Sequence, residues 1–529
     1  MMEGVALSAI DLGLIAAYFV GSIALGIWFG RRHKTAEDFF LAGRGMLWPV
    51  IGISLFASNI SSSTLVGLAG DAYATGISVY NYEWMAAVVL VVFAIFFLPF
   101  LLRARVYTMP EFLARRFSGS ARTYFALLTL FLNIVVDTAG GLYAGALMLG
   151  MIFPGIDLWV VVAVLALAAG IYTAFGGLAA VMYTDVIQAA LLILGSVLIS
   201  IFAYQAIGGW DAVTAAVPAE KLSLIRPPGD PGVPWPGLLT GVFLLGFYFW
   251  CTNQFMVQRV LSARSLDHGR WGVLFAGLLK LPVLFIMVLP GSFALLLYPT
   301  LERPDLVYPT LLFDLLPVGI LGLVIAGFIA ALMSQIDSTL NSASTLVTMD
   351  FVRRWKPDLD PHRLMRVGQV TTVLVMLLAV LWAPQIERFG SLFKYLQVVL
   401  AYSVPPIVAM FILGVLWPRA NARGAHAALI FGTLAGLAFF LLNEVVAAER
   451  VVHFLYVAPI LFLVSLAALV IGSLTAPPPD REAIADLIWT RGHFAAESRE
   501  LAPLPWWQNY RIQAIGLLAL TAMTVVAFW

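Results

Sequence analysis

Apolar runs of about 20 residues or more follow one another along the whole chain, separated by short charged or Pro/Gly-rich breaks. A run of that length crosses a hydrocarbon core of about 30 Å as a helix, whereas a barrel strand needs only about ten residues. The pattern therefore predicts an all-α polytopic membrane protein. Fourteen spans are expected, at about 8–30, 46–71, 78–102, 121–149, 157–176, 180–205, 236–256, 271–298, 313–349, 364–384, 391–417, 424–443, 452–475 and 509–528. The largest polar insertions, 206–235 and 476–508, are loop-sized, so one transmembrane domain over 1–529 is expected. Glu3 and Asp11 precede the first run and Arg31, Arg32 and Lys34 follow it. That is the reverse of a signal peptide's charge order, and the run is expected to stay as a span.

Within this apolar background some stretches carry polar residues that a lipid-facing helix would not. In Ala326–Asp350, residues Ser334, Asp337, Ser338, Asn341 and Thr345 recur at three- and four-residue spacings and form one polar stripe. The hydroxyls alone fit a helix-packing face. Asp337 adds an intramembrane carboxylate, which favours an ion or substrate path. In FASNISSSTLVG (56–67) a polar cluster interrupts the second span, and unwound backbone at such a place needs a protein-lined cavity. In the seventh span Gly246 precedes Phe247, Tyr248, Phe249 and Trp250, then Thr252, Asn253 and Gln254. The two interruptions lie five spans apart and so run in opposite directions, the footprint of an inverted repeat with a binding site at its broken helices.

Composition agrees: 61% of residues are hydrophobic and 11% charged, outside the range of soluble globules. The net charge of +1 offers no basic surface for nucleic acid, and the lone Cys251 permits no disulfide within the chain. With the N-terminus outside, connections expected inside carry RRHK (31–34), 103–117, 258–270, 351–366 and PRANAR (418–423). Outside connections hold only Lys221, Arg226, Arg303, Arg388 and Arg450, so the positive-inside rule puts both termini outside.

Glu83, Lys280 and Gln397 lie on three further spans, where they either meet around a polyhydroxylated ligand or, for the two charges, form a buried pair that fixes packing. Lys394 reads as a snorkelling or internally paired lysine and Asp137 as a packing partner. Tyr82, Phe249 and Trp250 fit a stacking surface or ordinary core. In FGGLAAVMYTDVIQ (175–188), Gly176 and Gly177 predict a tight turn between two spans, and Asp185 fits a cap at the start of the following helix, a role compatible with one in an ion path.

The motifs just quoted, with ALMSQIDSTLNSASTLVTMD, LFASNISSSTLVGLAG, NYEWM, WCTNQFMVQRVLSA, GLLKL and PWWQNYR, resemble the sodium/solute symporter family and, within it, the sodium–glucose cotransporter branch. The resemblance spans nearly the whole chain. It implies a LeuT-type inverted repeat of five plus five helices, at 46–205 and 236–417, with one extra helix at 8–30 and three at 424–528. It further implies a main sodium site at the carbonyls of Ala57, Ile60 and Ala331 and the Ser334 hydroxyl, with Gln335 standing where a second serine is usual. The implied solute site comprises Asn59, Thr64, Glu83, Phe249, Trp250, Lys280 and Gln397, with Gly246 replacing a polar residue and Phe249 a tyrosine. Asp185, Ser334, Asp337 and Ser338 would form a second cation site, for sodium or a proton.

The expected function is sodium-coupled symport of a sugar or sugar-like solute by alternating access, the functional unit being a monomer in the cell membrane. The alternative is a sodium- or proton-coupled symporter for an organic acid or amino acid, with Lys280 pairing a substrate carboxylate. An enzyme is not expected, because the six histidines are scattered without ligand spacing.

Overall fold

The computed structural model describes residues 7–30, 36–152, 155–389, 391–447 and 451–529, with backbone alone at 23, 25–30, 36, 167–177 and 361. The RRHK run and Arg450 lie outside the described residues. In chain order the helices that matter for function are α1 (Ala9–Gly30), α2 (Trp48–Asn59), α3 (Ser62–Thr75), α4 (Ile77–Ala104), α5 (Gly119–Ile152) and α6 (Leu158–Ile207). They continue with α7 (Trp235–Thr252), α8 (Gln254–Leu261), α9 (Leu266–Leu279), α10 (Leu284–Leu297), α11 (Ile320–Trp355) and α12 (His362–Phe389). The last are α13 (Leu392–Ser403), α14 (Pro405–Leu416), α15 (Ala422–Val446), α16 (Phe454–Leu474), α17 (Arg491–Leu501) and α18 (Tyr510–Ala527).

Nine described helices are long and apolar enough to cross a membrane, and three bent pairs raise the number to twelve. The other two of the fourteen expected spans, 8–30 and 157–176, include backbone-only residues; α1 shows an apolar helix over Ala9–Ser22. The bends have chemical causes. α2 and α3 meet at 58° where a serine-rich run competes for backbone hydrogen bonds. α9 and α10 meet at 42° beside Pro282, and α13 and α14 at 55° at Pro405, each proline lacking the amide that would continue the ladder. At Gly176–Gly177 the expected turn is absent, and α6 is helical throughout its 50 residues. No proline interrupts it, and a glycine costs a helix only about 1 kcal/mol. Asp185 consequently lies well inside α6 and caps nothing.

Burial separates the core from the rim. The apolar window of α11 is 89% buried, against 22% in α18 and 28% in α15, so α11 is the central pillar and the C-terminal helices present apolar faces outward. α11 packs chiefly on α6, and α1 closes against both. Asp11 of α1 is buried and accepts the amides of Gly319 (2.8 Å) and Gly322 (2.7 Å) at the start of α11, a carboxylate at a helix N-terminus. A Cβ on Gly322 would stand 2.4 Å from the Asp11 Cα, so the approach requires glycine. Near the C-terminus, Glu497 of α17 accepts from Tyr510 (2.7 Å) and Arg511 (2.5 Å) and pairs with Arg270 of α9. Burial pushes its carboxyl up, but these hydrogen bonds and charges outweigh that and hold it below the usual range.

Candidate functional site

The second-span interruption is where backbone becomes available. Asn59 ends α2, and Ser61 caps α3 by accepting the Thr64 amide at 3.2 Å. The Ser61 amide itself turns to the Asn59 carbonyl at 3.0 Å. The two amides that a continuous helix would direct onto the Ala57 and Ile60 carbonyls therefore point elsewhere. Ala57, Ile60 and Ala331 are all buried beside this break or on the facing pillar. The seventh span is interrupted too: a π-helical turn at Tyr248–Thr252 ends at Asn253, whose side chain caps α8.

Between these two interruptions lies a cavity of about 100 Å³, room for several waters or a small polar solute. Asn59, Thr64, Glu83, Phe249, Trp250 and Gln397 line it, as does Tyr82, set edge-on against Phe393 at 5.1 Å. Phe249 stands edge-on to Trp250 at 5.4 Å and to Phe255 at 5.6 Å, which fixes an aromatic wall. Lys280, from the α9–α10 break, is not in the lining. Its ammonium is buried behind it, bonded to Glu83 Oε2 and Asn59 Oδ1 and held 5.6 Å over the Trp250 ring. The pair thus fixes two lining residues from behind.

Gln335 turns toward the cavity as well. Its amide nitrogen donates to the Asp137 carbonyl at 2.6 Å and its Oε1 accepts from Ser63 at 3.2 Å, joining α11 to α5 and α3. Gly141 makes room: a Cβ there would meet the Gln335 oxygen at 2.8 Å.

A second polar cluster lies along the stripe of α11. Asp185 accepts from Ser334 at 2.6 Å, from Ser58 at 3.4 Å and from Ser54, while Ser338 lies 3.2 Å from Ser58. Arg259 Nη2 sits 3.1 Å from Asp185 Oδ2 and also donates to Ser338, with Nε donating to Ser54 at 2.8 Å. Asp337 is fully buried within electrostatic reach of Arg259 and of Tyr18 on α1. Thr345, further along the stripe, accepts from Gln258 at 3.0 Å.

Arg259 corrects the sequence reading, which counted it with the inner connection 258–270. The structure folds Gln258 and Arg259 into α8 and buries both. The clue was helical spacing, since Arg259 follows Phe255 by four residues and its Nη1 donates back to that carbonyl at 2.6 Å.

A closed bundle with two interrupted helices facing a polar, aromatic-walled cavity defines a secondary transporter. The sodium:solute symporter family model matches residues 39–432, and the chain belongs to that family. It is 36% identical to rabbit (Oryctolagus cuniculus) sodium/myo-inositol cotransporter 2, with 90% of this chain and 78% of that protein covered. It is 35% identical to rabbit sodium/glucose cotransporter 1, covering 89% and 80% respectively. In fold it is similar to a substrate-bound, outward-open Na+-coupled sialic acid symporter, with a TM-score of 0.78, 24% identity, and 89% of this chain and 99% of that one covered. It is also similar to the nucleobase-cation-symport transporter Mhp1 in a closed conformation, with a TM-score of 0.59, 13% identity, and coverage of 86% and 99%. The LeuT-type inverted repeat is thus the fold of this chain.

Proposed function

We propose that the protein couples sodium entry to uptake of a sugar or sugar-like solute, alternating access to the cavity between α3 and α7. The observation that carries this reading is the lining itself. Asn59, Thr64, Glu83 and Gln397 offer hydroxyl-seeking groups opposite the faces of Phe249 and Trp250. The sugar and myo-inositol relatives support it. The organic-acid reading is less well supported, because Lys280 is already held by Glu83 and Asn59. Counterflow of labelled sugars, polyols, amino acids and organic acids into proteoliposomes, with and without sodium, tests the choice. Sodium-dependent counterflow of acids alone would overturn it.

Sodium would bind at the Ala57, Ile60 and Ala331 carbonyls with the Ser334 hydroxyl, supported by the two carbonyls that lack helical amides. Gln335, engaged with Asp137 and Ser63, would contribute its oxygen only by giving up the Ser63 bond. One chain holds the cavity and every residue of the two proposed ion sites, which supports a monomeric functional unit in the bilayer. The concentration of arginine in connections on one side, such as 103–117 and 351–366, supports both termini being outside.

The second cation site would use Asp185, Ser334, Asp337 and Ser338. Two buried carboxylates lie within reach of one guanidinium beside three hydroxyls, an oxygen-rich set that suits one sodium ion or one proton. Asp337→Ser removes one of the two acids, and the expected outcome is a lower Hill slope for sodium or a flattened pH profile of uptake. Curves superimposable on wild type would make Asp337 structural.

Phe249→Tyr is expected to tighten sugar binding a few-fold, because it adds a hydroxyl donor to a wall already in place. Weaker or equal affinity at normal expression would count against a substrate-covering role for Phe249.

A further inference from the structure

Among the described residues lining the cavity only two are charged, Glu83 and Asp137. Glu83 is neutralised by Lys280. Asp137 is not matched in this way: among the described residues no Lys, Arg or His nitrogen lies within 4.0 Å of its carboxylate, and no hydrogen bond to that carboxylate is formed. Its backbone carbonyl is tied down by Gln335, and it stands in a π-helical turn, Asn133–Thr138, a distortion of α5 that turns the residue to the cavity wall. The side chain is 9% exposed. An ionised carboxylate so far from bulk water is costly without a counter-charge. When Asp137 is ionised, the cavity carries one negative charge more than it carries positive.

We infer that the solute bears a protonated amine on a polyhydroxylated frame, as in an amino sugar, and that Asp137 pairs with the ammonium while Asn59, Glu83 and Gln397 take hydroxyls. This rests on the sugar-like reading above and narrows it. A small cation at Asp137 would satisfy the charge but would leave the aromatic wall and the amide groups without a role, so the organic ammonium accounts for more of the lining. Pairing with a carboxylate offsets the amine's loss of water only when the contact is direct, so the charge discriminates strongly against neutral analogues.

The test uses purified protein in proteoliposomes at pH about 7, still below the ordinary pKa of an amine. Counterflow affinities are measured for glucose, glucosamine and N-acetylglucosamine, the last carrying the nitrogen without the charge. Glucosamine is expected to bind at least about tenfold more tightly than either neutral sugar. Asp137→Asn is expected to bring that ratio close to one, and Asp137→Glu, which keeps the carboxylate, to retain most of it and to show that the position tolerates change. Glucose binding with no preference for glucosamine would overturn this inference and leave the sugar reading standing. An unaltered ratio in Asp137→Asn, with sodium activation shifted instead, would assign Asp137 to the ion and overturn it too. Binding of none of the three sugars would overturn both.

Discussion

Glu83→Ala is expected to weaken solute binding roughly ten- to hundredfold, about 1–3 kcal/mol, the usual cost of removing one partner of a buried hydrogen bond. Gln397→Ala should lose a similar amount, since both side chains reach the same cavity from different helices. Glu83 carries a second burden that Gln397 does not: its carboxylate holds the buried Lys280 ammonium. Alanine leaves that charge without its carboxylate, so the fold should weaken as well, by about 3–5 kcal/mol for a broken buried pair. The two effects separate in the double variant Glu83→Ala/Lys280→Met. Removing both charges is close to neutral for stability, so thermal stability should recover relative to Glu83→Ala while affinity stays low. Unchanged affinity in folded Glu83→Ala protein would refute direct contact with the solute. Recovery of affinity in the double variant would show that Glu83 acts only by neutralising Lys280.

The architecture was legible because its causes are local. Twenty-residue apolar runs are a one-dimensional signal, and the serine-rich interruption at 56–67 and the end of the seventh span at Asn253 are written in residue types that compete with helical hydrogen bonds. The bends at Pro282 and Pro405 were as plainly written, but each was passed over inside an apolar run long enough to span unbroken. The cavity lining was legible in part. Asn59, Glu83 and Gln397 stand out on apolar helices, but nothing in spacing alone says that Lys280 lies behind Glu83 and not beside it. Asp137 was read as packing because a lone carboxylate on an apolar helix gives no direction; its direction comes from the π-helical turn and the contact with Gln335. Gln335 stands where the resemblance puts an ion ligand, but the space into which it turns is left by Gly141 on the distant α5. Pairings of this kind depend on packing between distant spans, which periodicity does not encode.

Arg259 has an expected effect on stability as large as that of Glu83. Its guanidinium touches Asp185, Ser54 and Ser338 on three different helices, and its own helix α8 is short, so it ties the second interruption to α2, α6 and α11. Arg259→Ala leaves Asp185 buried with hydroxyl donors alone and Asp337 nearby. The expected cost is about 3–5 kcal/mol of stability, as for other broken buried pairs, and uptake should fall with it. The carboxylates have one way to recover part of that loss, which is to take up a cation. Protein carrying Arg259→Ala should therefore be stabilised by added sodium or by lower pH more than wild type is, since a ligand that binds only the folded state stabilises it by mass action. Asp185→Asn combined with Arg259→Ala removes the carboxylate that lost its partner, and a double-mutant cycle on thermal stability should return a coupling of about 1–3 kcal/mol. Additive losses would mean that Arg259 and Asp185 merely share a neighbourhood. A full coupling without any gain in sodium or proton sensitivity would keep the ion pair and remove the second cation site. Both effects together would make Arg259 a resident counter-charge that an incoming cation must displace or share, and would place the coupling ion's second step at the junction of α6, α8 and α11.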